Sequence, residues 1–326
     1  MTGKVISPLL RARSEEELRN GIAGAGAVSP HAFIRGLDAD YDQQVMVDQW
    51  LRPLSVQDDL RFCYRQSDDA ERWVVMERLA WDSDFFGRGI ARLNAVLAPG
   101  VAPPLRADVS VAVDALRAAL EEARVRRIDY VFCPVSPGDL PAIRTLNACG
   151  FELIETRCHY HRPLVAQPPQ RYATRLATEA DIPSLARAAQ TMVNPFDRFH
   201  ADPAVPAADA DRLMERWVEA SIAGGFADAT IVPDVEEPEA FCTAKFHCEH
   251  WEGWRCKLSQ PVLSAVSPRH KGWYMKIISE LDEYLRGMGA EHSFLVTQIT
   301  NNAVIHSWEK LGYRFGKGEH VFRKLL

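Results

Sequence analysis

Apolar positions along the chain recur at two spacings, and the order of the resulting elements runs through twice. Strand-like stretches LRFCYR, RWVVMERLAW and IARLNAVL lie between residues 60 and 97, and the continuous apolar run YVFCPV at 130–135 reads as a buried strand. Helical spacing covers about 109–126 and 139–149, with a last strand near His159. After residue 172 the order returns. A helix starts near Asp181 and another runs over about 208–222; strands follow in DATIV, EAFCTAKFHCEHW and WRCKLSQPVLSAV. The helix at 273–286 lines Ile277, Ile278, Leu281 and Leu285 along one face, ahead of the strand SFLVTQI, a helix at 302–311 and a final strand.

The repetition is more than one of type. Residues 142–164 and 304–326 align without a gap at a shift of 162, which sets Gly150 on Gly312. Between the copies, Pro168 and Pro169 favour an extended linker over 164–172. The expected fold is therefore α+β, with two tandem domains, 1–165 and 166–326, each a mixed, mostly antiparallel sheet flanked by helices. A chain of 326 residues is long enough for two such cores. Near the start, Ser14 and Glu17 have capping-box spacing for a short helix.

Composition changes this picture little and excludes some partners. With 47% hydrophobic and 25% charged residues and a net charge of −6, the chain carries no basic field for nucleic acid. It has no run of roughly 20 apolar residues and no apolar signal core, so a cytoplasmic protein without a membrane partner is expected. Seven scattered cysteines fit reduced thiols. Cys242, His247, Cys248, His250 and Cys256 invite a zinc reading. However, Cys242, Ala244, Phe246, Cys248 and His250 alternate onto one strand face and no CxxC pair is present, so no metal is expected. Oligomeric state is not encoded in any pattern here.

Chemistry concentrates where LSAVSP runs into RHKGWYMKIISEL. Gly272 at a turn from strand into helix lets the backbone approach a ligand, and the helix start offers unpaired N–H groups and the positive dipole end, which together suit a pyrophosphate. The first copy aligns ADVSVA, residues 107–112, with this loop and has neither glycine nor cation there.

Arg269-His270-Lys271-Gly272-Trp273-Tyr274, followed by TQITN and a helix ending LGY, resembles the Arg/Gln-x-x-Gly-x-Gly/Ala signature of the GNAT acyltransferases. The resemblance implies an acyl-CoA co-substrate (acetyl-CoA or a 3-hydroxyacyl-CoA). Arg269 through Tyr274 would hold its pyrophosphate, Ala265 and Val266 its pantetheine and thioester, and Asn301 the pantetheine region. Two positions depart from the pattern: Tyr274 stands where Gly or Ala is usual, and Trp308 stands where many members carry a tyrosine that protonates the departing thiolate. An indole N–H is no acid near neutrality.

Leu79 to Gly87, containing Trp81, Asp82 and Phe85, and Arg198 to Pro203, containing His200 and Asp202, resemble segments of the two-domain acyltransferases acting on nucleotide-linked amino-dideoxy sugars. The implied acceptor is a nucleotide-linked amino sugar, with Trp81, Asp82, Phe85 and Arg198 as its contacts and His200, His247 or Asp202 as the base. Each residue also has a plainer reading. Trp81 and Phe85 suit a core, Asp82 and Asp202 suit turns before Ser83 and Pro203, and His200 suits a loop anchor. A non-sugar amine acceptor and a non-catalytic acyl-CoA-binding module stay open beside the sugar reading.

Overall fold

The computed structural model describes residues 5–8, 13–52, 55, 58–67, 70–165, 170–191 and 194–326. Pro168 and Pro169 of the expected linker lie outside them. Two compact units result, and they are interleaved in sequence: one comprises Met1–Ala32, Ala39–Thr156 and Glu319–Leu326, the other Phe33–Asp38 and Arg157–Gly318.

The first unit contains β1 (Val5–Pro8), α1 (Glu15–Gly24), α2 (Ala39–Leu51), β2 (Asp59–Ser67), β3 (Ala70–Arg78), α3 (Ala80–Phe86), β4 (Ile90–Leu97), α4 (Ser110–Val125), β5 (Tyr130–Val135), α5 (Leu140–Ala148) and the start of β6 (Glu152–Pro163). The expected capping box opens α1: Glu17 donates its N–H to Ser14 Oγ at 3.2 Å, and Ser14 donates its N–H to Glu17 Oε2 at 2.8 Å. Strands β1 to β4 pair antiparallel, and β4 joins β5 in parallel over Ile90 to Arg92. Alternate residues of β3 serve opposite faces. Trp73 and Val75 pack with Leu18, Ile22, Val47 and Leu51 of α1 and α2, while Val74 and Met76 pack with Leu116 and Leu120 of α4.

The second unit continues β6 and adds β7 (Thr174–Leu176), α6 (Ile182–Thr191), α7 (Ala207–Ile222), β8 (Ala229–Pro233), β9 (Ala240–Lys245), α8 (Trp251–Trp254), β10 (Leu258–Val266), α9 (Trp273–Gly287), β11 (His292–Gln298), α10 (Asn302–Lys310) and the start of β12 (Arg314–Leu325). Strands β7 to β10 pair antiparallel in chain order, and β10 meets β11 in parallel. Helices α9 and α10 cover one face through Ile277, Leu281, Leu285 and Trp308, and α6 and α7 cover the other through Leu185, Ala189 and Val218. The offset seen in the sequence maps Leu140–Ala148 onto Asn302–Lys310 and Glu152–Pro163 onto Arg314–Leu325.

The repeat hides an exchange. Arg157 to Pro163 of β6 pair with β11 in the second unit, and His320 to Leu325 of β12 pair with β5 in the first. Each sheet thus receives the closing strand written in the other half of the chain, which a cut at residue 165 would not separate.

Two local expectations need correction, and one helix was not expected. The strand RWVVMERLAW ends at Arg78, because Ser83 returns both its N–H (2.9 Å) and its hydroxyl (2.6 Å) to the Leu79 carbonyl and winds α3. The strand expected to reach His250 ends at Lys245. There Asp228 takes the Phe246 N–H at 2.7 Å, and His247 adopts φ 57°, so Cys248 falls in a turn while Cys242 and Ala244 stay in the core. Helix α2 escapes the sequence pattern because its apolar burial is confined to Val47 and Leu51 among polar neighbours.

Candidate functional site

Strand β10 creates the opening. It pairs with β11 at Leu258–His292 and Ser259–Ser293, then diverges, while its other edge follows β9 as far as Val266 with a register break between Pro261 and Ser264. A proline without an N–H, followed by a bulge, bends the strand away from its parallel neighbour. From Gln260 onward the β11-facing edge of β10 is therefore available to a ligand's amides.

The turn after β10 ends in Gly272, the N-cap of α9, at φ 90°. A Cβ there would meet nothing within 4 Å, so the glycine is required by backbone conformation rather than by crowding. No acidic residue lies in the first turn of α9. Glu239 accepts from Ser267 Oγ at 2.7 Å and from Arg269 Nη1 at 2.8 Å, fixing the loop; those contacts, Ser267 foremost, hold its carboxyl below the usual range. Arg269 still exposes 69% of its side chain, and Lys271 is exposed beside it. The His270 ring lies 6.5 Å from that of Trp273, over which Lys276 places its ammonium at 5.0 Å.

At the matching place in the first unit, α4 begins behind Asp108, whose carboxylate accepts the Ser110 N–H and hydroxyl, each at 2.9 Å. These bonds hold Asp108 below its usual range, so an anion already occupies that helix start.

Tyr274 and Trp308, the two departures from the signature, meet. Trp308 is 2% exposed, and its Nε1 donates to the Tyr274 hydroxyl at 3.0 Å. Ser264 of β10 also bonds that hydroxyl, and burial pushes its pKa well above that of an ordinary phenol. Ala265 is buried on the α6–α7 side and Val266 packs on the α9 side. Asn301, N-cap of α10, donates Nδ2 to Thr297 Oγ1 at 3.2 Å.

Known structures share this fold across the whole length of the chain. A GCN5-related N-acetyltransferase from Sphaerobacter thermophilus matches at TM-score 0.63 and 12% identity, over 99% of this chain and 95% of that one. A tandem GNAT protein from the clavulanic acid biosynthesis pathway matches at TM-score 0.55 and 14% identity, over 99% and 98%. The chain has the GNAT fold. A GCN5-related glucosamine N-acetyltransferase region within a fungal multi-domain β-N-acetylglucosaminidase shares it at TM-score 0.61 and 12% identity, over 99% of this chain and 38% of that one. No family model and no curated protein matches the sequence.

Within this GNAT fold the remaining sequence candidates fall in separate places. His200 lies on the α6–α7 connection with both ring nitrogens on carboxylates: Nδ1 is 2.6 Å from Asp197 and Nε2 is 3.1 Å from Asp211. Accepting a proton needs a free lone pair, so this geometry suits an anchor for the loop. Asp202 is 1% exposed and takes the Ala204 N–H at 2.8 Å, building the turn before α7, and Arg198 stacks on Phe199 at 4.1 Å. His247 sits beyond β9, its ring 6.0 Å from that of Trp254. Trp81, Asp82 and Phe85 share α3 in the first unit, with the two rings stacked at 5.9 Å. Asn194 ties the α6–α7 connection to β11 through Gln298.

Sequence reasoning missed Glu239, Ser264 and Asp197. Glu239 and Ser264 act through partners set by strand pairing and helix packing, for which local spacing carries no signal, whereas Asp197 stands three positions before His200 and that spacing was the available signal. A cavity of about 440 Å³ beside the middle of α9 contains Arg171, Arg175, Glu280 and Glu283; Arg171 pairs with Glu280 and Arg175 with Asp181, away from the Gly272 turn.

Proposed function

We propose that this protein transfers an acyl group from acyl-CoA to the amino group of a nucleotide-linked amino sugar, by direct attack in a ternary complex. The carrying observation is the contrast between two equivalent helix starts: α9 is free of acids and flanked by Arg269 and Lys271, whereas Asp108 fills the start of α4. A pyrophosphate would sit on the first N–H groups of α9, and pantetheine amides would pair with the freed edge of β10. The amine attacks uncharged, and a backbone N–H of residues 263–266 would hold the oxyanion. Support for an amino-sugar acceptor comes from the glucosamine N-acetyltransferase region that shares the fold. The contacts of His200 with Asp197 and Asp211 suit it to hold the α6–α7 connection in place.

Lys271→Glu tests the cradle. Reversing a charge a few ångströms from a phosphate costs about 1–3 kcal/mol, so acetyl-CoA affinity should fall roughly tenfold or more in calorimetric titration with no change in melting temperature. Unchanged affinity would remove α9 from the account. The acceptor is tested by offering acetyl- and 3-hydroxyacyl-CoA with dTDP- and UDP-linked amino sugars and reading amide formation by mass spectrometry. Preference for a free amino acid or other non-sugar amine would overturn the sugar assignment.

A further inference from the structure

The Tyr274–Trp308 bond has only one possible direction. An indole nitrogen donates and cannot accept, so at 3.0 Å the Tyr274 oxygen receives the Trp308 proton. The phenol's own proton must then point elsewhere. What faces it is the Ser264 side of β10, one residue before Ala265 and next to the register break where β10 leaves β11. The position that usually carries an acid therefore carries a donor that orients and polarises a phenol from the neighbouring helix.

We infer that Tyr274, rather than residue 308, gives the hydrogen bond to the sulfur that departs from the thioester, an assignment that rests on the acyl-CoA reading above. As the amine nitrogen forms its bond to the acyl carbon and the carbon–sulfur bond breaks, the sulfur takes the Tyr274 proton. The phenolate recovers the proton that the amine nitrogen loses, so the products are an amide and CoA thiol with Tyr274 unchanged. The Trp308 N–H stabilises the phenolate oxygen while the proton is away. Burial is the largest influence on this phenol and makes it a weaker acid; the Trp308 and Ser264 contacts act in the opposite direction without outweighing it.

The test requires no acceptor. Calorimetry with CoA and with desulfo-CoA, which lacks only the sulfur, isolates contacts to that atom. Wild-type protein should prefer CoA by roughly three- to tenfold, the worth of one hydrogen bond. In Tyr274→Phe the ratio should drop to about one while desulfo-CoA affinity holds. The wild-type preference should also widen from pH 7 to pH 9.5 as the bound thiol ionises, which gives a readout even if the variant fails to fold. A ratio unchanged in folded Tyr274→Phe, or a wild-type preference flat with pH, would overturn the assignment and leave the acyl-CoA site standing. Failure of both ligands to bind would instead remove the acyl-CoA reading itself.

Discussion

Asp282 is wholly enclosed in the core of the second unit, where it accepts from Tyr313 at 2.6 Å and lies 3.5 Å from Arg162. Burial outweighs these partners and lifts its pKa to about 6 from 3.8. A carboxyl with a raised folded-state value holds its proton more tightly folded than unfolded between those limits. Its contribution to stability is therefore largest at acid pH and declines as pH rises toward 6. Asp282→Asn removes the titration. The unfolding free energy of wild type minus that of the variant should fall by about 2–3 kcal/mol between pH 4 and pH 7 in denaturant titrations. A difference independent of pH would show that Asp282 does not titrate in this window. Glu280, one turn away from Tyr284 on the same helix, keeps its own partner in Arg171 at 2.7 Å, so the variant isolates a single group.

At the scale of elements, the comparison of α4 with α9 yields a separable prediction. Asp108→Ala removes the acceptor of the Ser110 N–H and should lower the melting temperature slightly, yet leave acetyl-CoA affinity unchanged, because residues 107–112 contain no glycine to form the turn. Weakened CoA binding in this variant would place the first unit in the cofactor site. The repeat, the helix faces of α9 and the Gly272 turn were legible in the sequence because each depends on spacing within one element. The Arg269–Glu239 pair was not, since its partners are 30 positions apart, just before β9 and in the turn after β10. Tyr274 and Trp308 likewise looked like two separate losses; only the packing of α10 on α9 turns them into one hydrogen-bonded pair. The exchange of β6 and β12 could not be read at all. The two strands are copies at one offset, so either pattern suits either sheet.

For the whole molecule, the exchange makes the last residues essential to the first unit. Deleting Glu319–Leu326 strips β5 of its antiparallel partner and removes Val321 and Phe322 from the cores around Ile90 and Phe151. Hydrogen–deuterium exchange on the truncated chain should show lost protection in β4 and β5, far upstream by sequence, while α9 and β10 keep theirs. Protection lost first around the deletion in β12 and α10, with β5 unaffected, would contradict the exchange. During synthesis the same arrangement imposes an order. The amino-terminal unit leaves the ribosome first but carries an unpaired β5 edge until β12 has been made and has emerged, so a chain stalled before that point exposes an adhesive edge rather than a finished domain.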